Sequence, residues 1–320
     1  MCADPYRTTS KNNNNNDDNT MKENDTTPRL PFYAQFWLNF YRAVPKVNLL
    51  FGHDIGFMLV CVVMLCVVRS IAYQILLSFG WPDDDTVTRE AAACAAGSFH
   101  TVNLVPVLAV CLWRVSYLPS KRMKDYPVWW QDLVDAMLQL CSAHMIHDGI
   151  FGVLALRYQP DTNSFALTDM DPIYLGHHVV TLVFMMSNRL AGVGQTAAIT
   201  CMYLGELTNP TYNANTIAEL GKPLECCHGP LALQIGKVVK ALNAALFVPA
   251  RGFLCPFFAV WITVSFFFTK AGGRIPILLR LVWTILMWGI VLGGLPFVPD
   301  QVDIVVDFFT EMGTAATPEL

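Results

Sequence analysis

Residues 171–213 read DPIYLGHHVVTLVFMMSNRLAGVGQTAAITCMYLGELTNPTYN. Most of this stretch is apolar enough to lie in hydrocarbon. It nevertheless carries the tandem pair His177–His178 with Thr181 one turn on, and then Glu206 followed by Asn209 and Pro210. An ionisable side chain at bilayer depth costs about 3 kcal/mol even on lenient insertion scales, so each of these groups must face a partner or a wet cavity. Such groups on two consecutive spans predict a polar pocket inside a helical bundle.

Composition sets the class around that pocket. Of 320 residues 54% are hydrophobic and only 14% charged, against about 25% charged in an average soluble domain. With a mean hydropathy of +0.40, the apolar side chains exceed what one water-soluble core could hide. Runs of weakly charged residues long enough to cross a bilayer recur along the chain, which predicts an all-α polytopic membrane protein with about seven transmembrane helices. The net charge of -4 argues against nucleic acid as a partner. Most of the ten cysteines lie within apolar runs and read as small buried hydrophobes. Cys226–Cys227 is adjacent in a connecting segment, and no CxxC spacing points to zinc or a redox pair.

From the N-terminus, residues 1–30 contain KNNNNNDDNTMKENDTTP and are expected to be a disordered Asn-rich tail. Residues 31–54 are rich in aromatics, with Arg42 and Lys46, and read as an interfacial segment at the headgroup level. The first span, 55–79, doubles as the targeting signal. Arg69 within it is expected to pair locally or snorkel. A second span, 91–115, carries His100, equally readable as a packed histidine or as part of the pocket. In the third, 133–156, His144, His147 and Asp148 stand at i, i+3 and i+4 and share one face. A carboxylate beside imidazoles suits a proton-handling site, and it suits a structural seam between helices equally well. Spans four and five deliver the tandem histidines and Glu206, and Asn209–Pro210 breaks the fifth. Residues 213–236 read as loop. A long span with Pro249 and Pro256 follows, carrying Arg251 as a counter-ion for Glu206 or Asp148. The last span, 277–295, looks like packing and lipid-facing surface, and 298–320 like a solvated acidic tail.

Asp148 in the third span, HHVVT (177–181) in the fourth, ELTNP (206–210) in the fifth and Arg251 in the next together resemble the TRAM–Lag–CLN (TLC) domain. The resemblance implies a TLC-type six-helix domain over 91–297, closed into a barrel around the polar cavity and flanked by the first span. Ceramide synthases belong to this family and use a His/Asp cluster to transfer a fatty acyl chain. By that likeness His177, His178 and Asp148 are the catalytic candidates. His144, His147, Thr181, Glu206, Asn209, Arg251 and His100 are the candidates for cavity and lipid binding. The second His–Asp pair of ceramide synthases is missing, and Gly205-Glu206-Leu207-Thr208-Asn209-Pro210 stands in its place. ELTNP resembles the branch of TLC-domain proteins linked to membrane lipid composition.

The function expected is therefore lipid binding, transport or composition control. A ceramide-synthase-like acyltransferase with His177 or His178 as acid–base is the alternative. A cargo receptor or chaperone with a structural polar seam is a further one. A histidine-box metal oxidase needs more imidazoles than the seven present, so no metal and no cofactor is expected, acyl-CoA entering only as a substrate. Membrane lipids are the expected partners, with a second copy of the chain or another membrane protein beside them. The endoplasmic reticulum is implied by resemblance. The excess of Lys and Arg on the side of Lys121, Arg122 and Lys124 places the N-terminus in the cytosol.

Overall fold

The computed structural model of the protein describes residues 29–50, 53–83, 86–114, 121–153, 156–159, 164–167 and 172–315. The Asn-rich tail expected over 1–30 lies, up to residue 28, outside the described residues. Eleven α-helices are present among them: α1 (Phe32–Ala43), α2 (Gly56–Ser78), α3 (Thr86–Trp113), α4 (Val128–His147), α5 (Pro172–Ala191), α6 (Gln195–Glu206), α7 (Asn209–Gly221), α8 (Pro230–Phe247), α9 (Cys255–Phe268), α10 (Ile277–Gly294) and α11 (Val298–Ala315). Two short antiparallel ladders complete the fold, Asn48–Leu50 with His53–Asp54 and Leu156–Gln159 with Ser164–Leu167.

Four helical runs are long and apolar enough to cross a membrane among the described residues: Gly56–Ser78, Thr86–Trp113, Pro230–Phe268 and Ile277–Glu311. The chain is thus an all-α protein with the helices of a multi-pass membrane protein. On α2, Leu59, Val63, Val67, Ile71 and Ile75 form an exposed apolar stripe, while Phe57, Cys61 and Leu65 are buried against the bundle. Every fourth residue returns to the same face, so one stripe meets lipid and the other meets α3 and α4.

Helix α4 is less apolar for a local reason. Every residue from Leu133 to His147 except Asp135 and Ile146 is buried, so its surroundings are protein rather than lipid. That is what permits Gln139, Ser142, His144 and His147 on one helix. Its lower end is locked by charge. Arg189, at the end of α5, is 6% exposed and donates to Asp135 Oδ1 at 2.6 Å and to the Asp54 carbonyl at 2.7 Å. The Tyr41 hydroxyl and Gln139 Nε2 each donate to Asp135 Oδ2 at 2.8 Å, and Gln139 Oε1 accepts from the Met58 amide at 2.9 Å. One carboxylate therefore joins α1, α4 and α5.

The turn from α5 to α6 depends on glycine. Gly192 and Gly194 have φ of 62° and 80°, backbone that costs other residues about 1–2 kcal/mol. A Cβ on Gly194 would also lie 2.9 Å from the Trp283 ring.

Several expectations are revised. Residues 213–236 are helical rather than loop over Asn209–Gly221 and from Pro230 onward. The expected acidic tail forms α11, which packs on α8 and holds a Lys237–Glu311 ion pair at 2.9 Å. Its polar residues fall on one side of a helix whose Ile304 and Phe308 are partly covered. The third span ends in a π-helical turn, Asp148–Val153, and the run through Pro249 takes a π-helical turn at Val248–Leu254. Proline lacks the N–H of a regular ladder, and wider turns are a common accommodation.

Candidate functional site

A cavity of about 630 Å³ opens among α2 to α8, the Val248–Leu254 turn and α10. His144 from α4 and Asp148, four residues on in the π-helical turn that follows, both reach it, whereas His147 is buried outside the lining. At 100° per residue, i and i+4 diverge by about 40° and i and i+3 by about 60° in the other sense, so a narrow cavity takes one pair and not all three. Both tandem histidines line it. His178 is buried and its Nε2 lies 2.9 Å from Asp148 Oδ2, while His177 is exposed at the edge, its ring perpendicular to that of His178 and 5.7 Å away.

From His178 a polar string crosses the bundle. The His144 ring centroid is 6.5 Å from that of His178 and 4.2 Å from that of His100, on which it stacks. His100 lies behind the lining with its Nδ1 3.9 Å from Glu206 Oε2. Thr101 and Asn209 both donate to that same oxygen, at 3.1 and 2.7 Å. Gly97 makes the crossing close enough, since a Cβ there would fall 2.9 Å from Asn213 Nδ2 and 3.6 Å from His144 Cε1.

The ELTNP break has a geometric purpose. Pro210 starts α7 without an N–H, after a two-residue interruption at Leu207 and Thr208. This swings Asn209 back onto Glu206. Arg251 Nη2 donates to the Gly205 carbonyl at 2.6 Å beside the break. Arg251 was expected as a counter-ion for Glu206 or Asp148. Among the described residues it forms no ion pair with either, because the carboxylates already accept from His178, Thr101 and Asn209. Among the described residues its Nε is buried without a hydrogen-bond partner, as are His144 Nδ1 and Thr181 Oγ1.

Of the ten residues singled out from sequence, His177, His178, Asp148, His144, Thr181, Glu206, Asn209 and Arg251 line the cavity. His100 supports it from behind and His147 does not reach it. Three contributors escaped that reading. Arg69 lines the cavity rather than turning to the headgroups. Leu286, Met287 and Ile290 bring α10 into the wall, where packing and lipid-facing surface were expected. Thr101 is an ordinary helix residue until Glu206 is placed beside it. Among the described residues no three His, Cys, Asp or Glu side chains converge as a metal site.

Chemically, the arrangement offers a buried carboxylate–imidazole pair, a second carboxylate held by two neutral donors and unspent guanidinium donors. Apolar side chains, among them Met145, Met185, Met202, Leu286 and Ile290, complete the lining. A family model described as the TLC domain matches residues 93–295. No curated protein and no solved structure matches the chain.

Proposed function

This chain belongs to the TLC-domain family, and on that premise we propose that it binds membrane lipids in the cavity and acts in lipid metabolism or homeostasis. The single observation that carries the reading is the cavity itself. Its volume of about 630 Å³ falls in the range of ligand pockets, roughly 300–1,000 Å³. Its wall sets apolar side chains such as Met145, Met185, Met202, Leu286, Met287 and Ile290 against a comparable share of polar and ionisable ones, as an amphiphile requires. The matched segment, from α3 to α10, forms the six-helix barrel in this reading, with α2 as the flanking span, and α4, α5 and α6–α7 complete the crossings as helices whose polar faces turn inward. Membrane lipids are the partners, the endoplasmic reticulum is the site of action, and the N-terminus is cytosolic.

The Asp148–His178 contact supports a second reading, acyl transfer. A carboxylate that orients an imidazole makes it a general base. His178 would take the proton from a lipid amine or hydroxyl as that atom attacks an acyl-CoA thioester. The C–S bond breaks, a C–N or C–O bond forms, and the proton passes on to the departing thiolate.

Lipidomics of cells carrying the wild-type chain, a deletion and His178→Ala at equal expression tests the first reading. Deletion and substitution are expected to shift the same lipid classes, and unchanged lipids in the deletion would overturn it. Purified protein with acyl-CoA and a long-chain base tests the second, through release of free CoA thiol that His178→Ala abolishes.

A further inference from the structure

The cationic end of the cavity lies outside the matched TLC segment, and the lipid-handling reading does not use it. Arg69 is the fourteenth residue of α2, a helix whose other side chains from Gly56 to Ser78 are uncharged. At 1.5 Å rise it sits about 14 Å inside the Ser78 end, within the hydrocarbon zone. It is only partly exposed and faces the cavity, not the α2 stripe that meets lipid. No hydrogen bond or ion pair engages it among the described residues, although Asp148 and Arg89 are within electrostatic reach. Arg89, one turn into α3, lines the same end, together with Thr86 and Glu90.

A guanidinium stays protonated at any accessible pH, so Arg69 cannot escape its charge by deprotonation. Asp148, the carboxylate within its electrostatic reach, is engaged by His178 at 2.9 Å. Two guanidiniums at different depths, with free donors on the deeper one, suit an anion bearing several acceptor oxygens. Glu90 at the exposed rim suits a cationic group further out.

Resting on the reading of the cavity as a lipid site, we propose that Arg69 and Arg89 hold the phosphate of a zwitterionic glycerophospholipid. The phosphate lies at Arg69, the ammonium at Glu90, and the acyl chains run inward past His178 toward the α10 wall. The Asp148–His178 pair then stands beside the glycerol esters rather than beside the headgroup. The family-matched segment supplies the reactive pair, and α2 supplies the headgroup selection.

Full-length protein in detergent is titrated with dioleoyl phosphatidylethanolamine, with dioleoylglycerol and with inorganic phosphate, reading lipid adducts by native mass spectrometry and melting temperature. The proposal predicts adducts with the phospholipid that Arg69→Gln weakens about tenfold, the loss of one charge-assisted bond. Arg69→Lys is expected to restore part of this, and neither substitution should change dioleoylglycerol binding. Equal binding of both lipids, unaffected by Arg69→Gln, would overturn the headgroup site and leave the lipid cavity standing. Stabilisation by inorganic phosphate with no preference between the lipids would overturn the lipid as occupant. Binding of neither lipid would overturn the cavity reading as well. Removing a charge from α2 eases its insertion, so loss of folding is not the expected cause of a null result.

Discussion

His178 Nε2 and Asp148 Oδ2 lie 2.9 Å apart, and both side chains are almost fully buried. They come from α5 and from the π-helical turn that ends α4. Because they act as a unit, the effects of removing either are expected not to add. Asp148→Asn and His178→Ala should each return cellular lipids to the deletion profile, and the double variant should go no further. If the acyl-transfer reading holds, each costs about a hundredfold or more in turnover. Additive losses would show the two residues working separately.

Glu206 is held by neutral donors, and its variants separate charge from hydrogen bonding. Glu206→Gln keeps an acceptor for Thr101 and Asn209 and should preserve melting temperature in detergent. Glu206→Ala leaves the Asn209 amide without its acceptor, at about 1–3 kcal/mol, while Thr101 keeps the Gly97 carbonyl at 2.9 Å. Equal stability of the two variants would contradict the hydrogen-bonding role.

The Arg189–Asp135 pair at 2.6 Å gives a test of the fold independent of the cavity. Breaking a buried pair by removing one partner costs about 3–5 kcal/mol. Arg189→Gln and Asp135→Asn are each expected to lower stability by an amount near the bottom of that range, since Asp135 is partly exposed. The double variant should be less damaged than the sum. A coupling energy near zero would remove the pair from the account.

Asp54, at the N-terminal edge of α2, gives a pH dependence outside the membrane. Burial raises its pKa, but hydrogen bonds from the Gly56 and Val47 amides and the Lys46 ammonium outweigh that and hold it below the usual carboxylate range. A carboxyl depressed in the folded state contributes stability above its unfolded value, about 3.9, and loses it as pH falls through the folded one. Wild type should therefore exceed Asp54→Asn in melting temperature at pH 7, and the gap should narrow as pH falls below about 4. A gap as wide at pH 3 as at pH 7 would contradict the assignment.

Much of the site was legible because burying charge in a bilayer is costly. His177, His178, Asp148 and Glu206 declared themselves by standing in apolar runs, and the cavity gathers all four. Partners chosen by three-dimensional approach were not legible. Arg251 looked like the obvious counter-ion, yet it caps the Gly205 carbonyl. Arg69 looked like a residue that pairs locally or snorkels, because sequence shows how deep a side chain sits but not which way it faces. Helix α4 shows the opposite limit, since its polarity records burial in protein rather than absence from the membrane. The strand pair Leu156–Gln159 with Ser164–Leu167 was missed because its short mixed pattern carries no strong period, and α11 because its acidic residues outweighed an apolar face that repeats at helical spacing.

The most direct measurement is an experimental density map of the full chain in lipid nanodiscs. An elongated acyl density inside the cavity, passing within van der Waals distance of His178 and Asp148 and ending in a headgroup near Arg69, is the predicted result. A cavity filled only by ordered water, with every lipid confined to the outer stripe of Leu59, Val63 and Val67, would contradict the account.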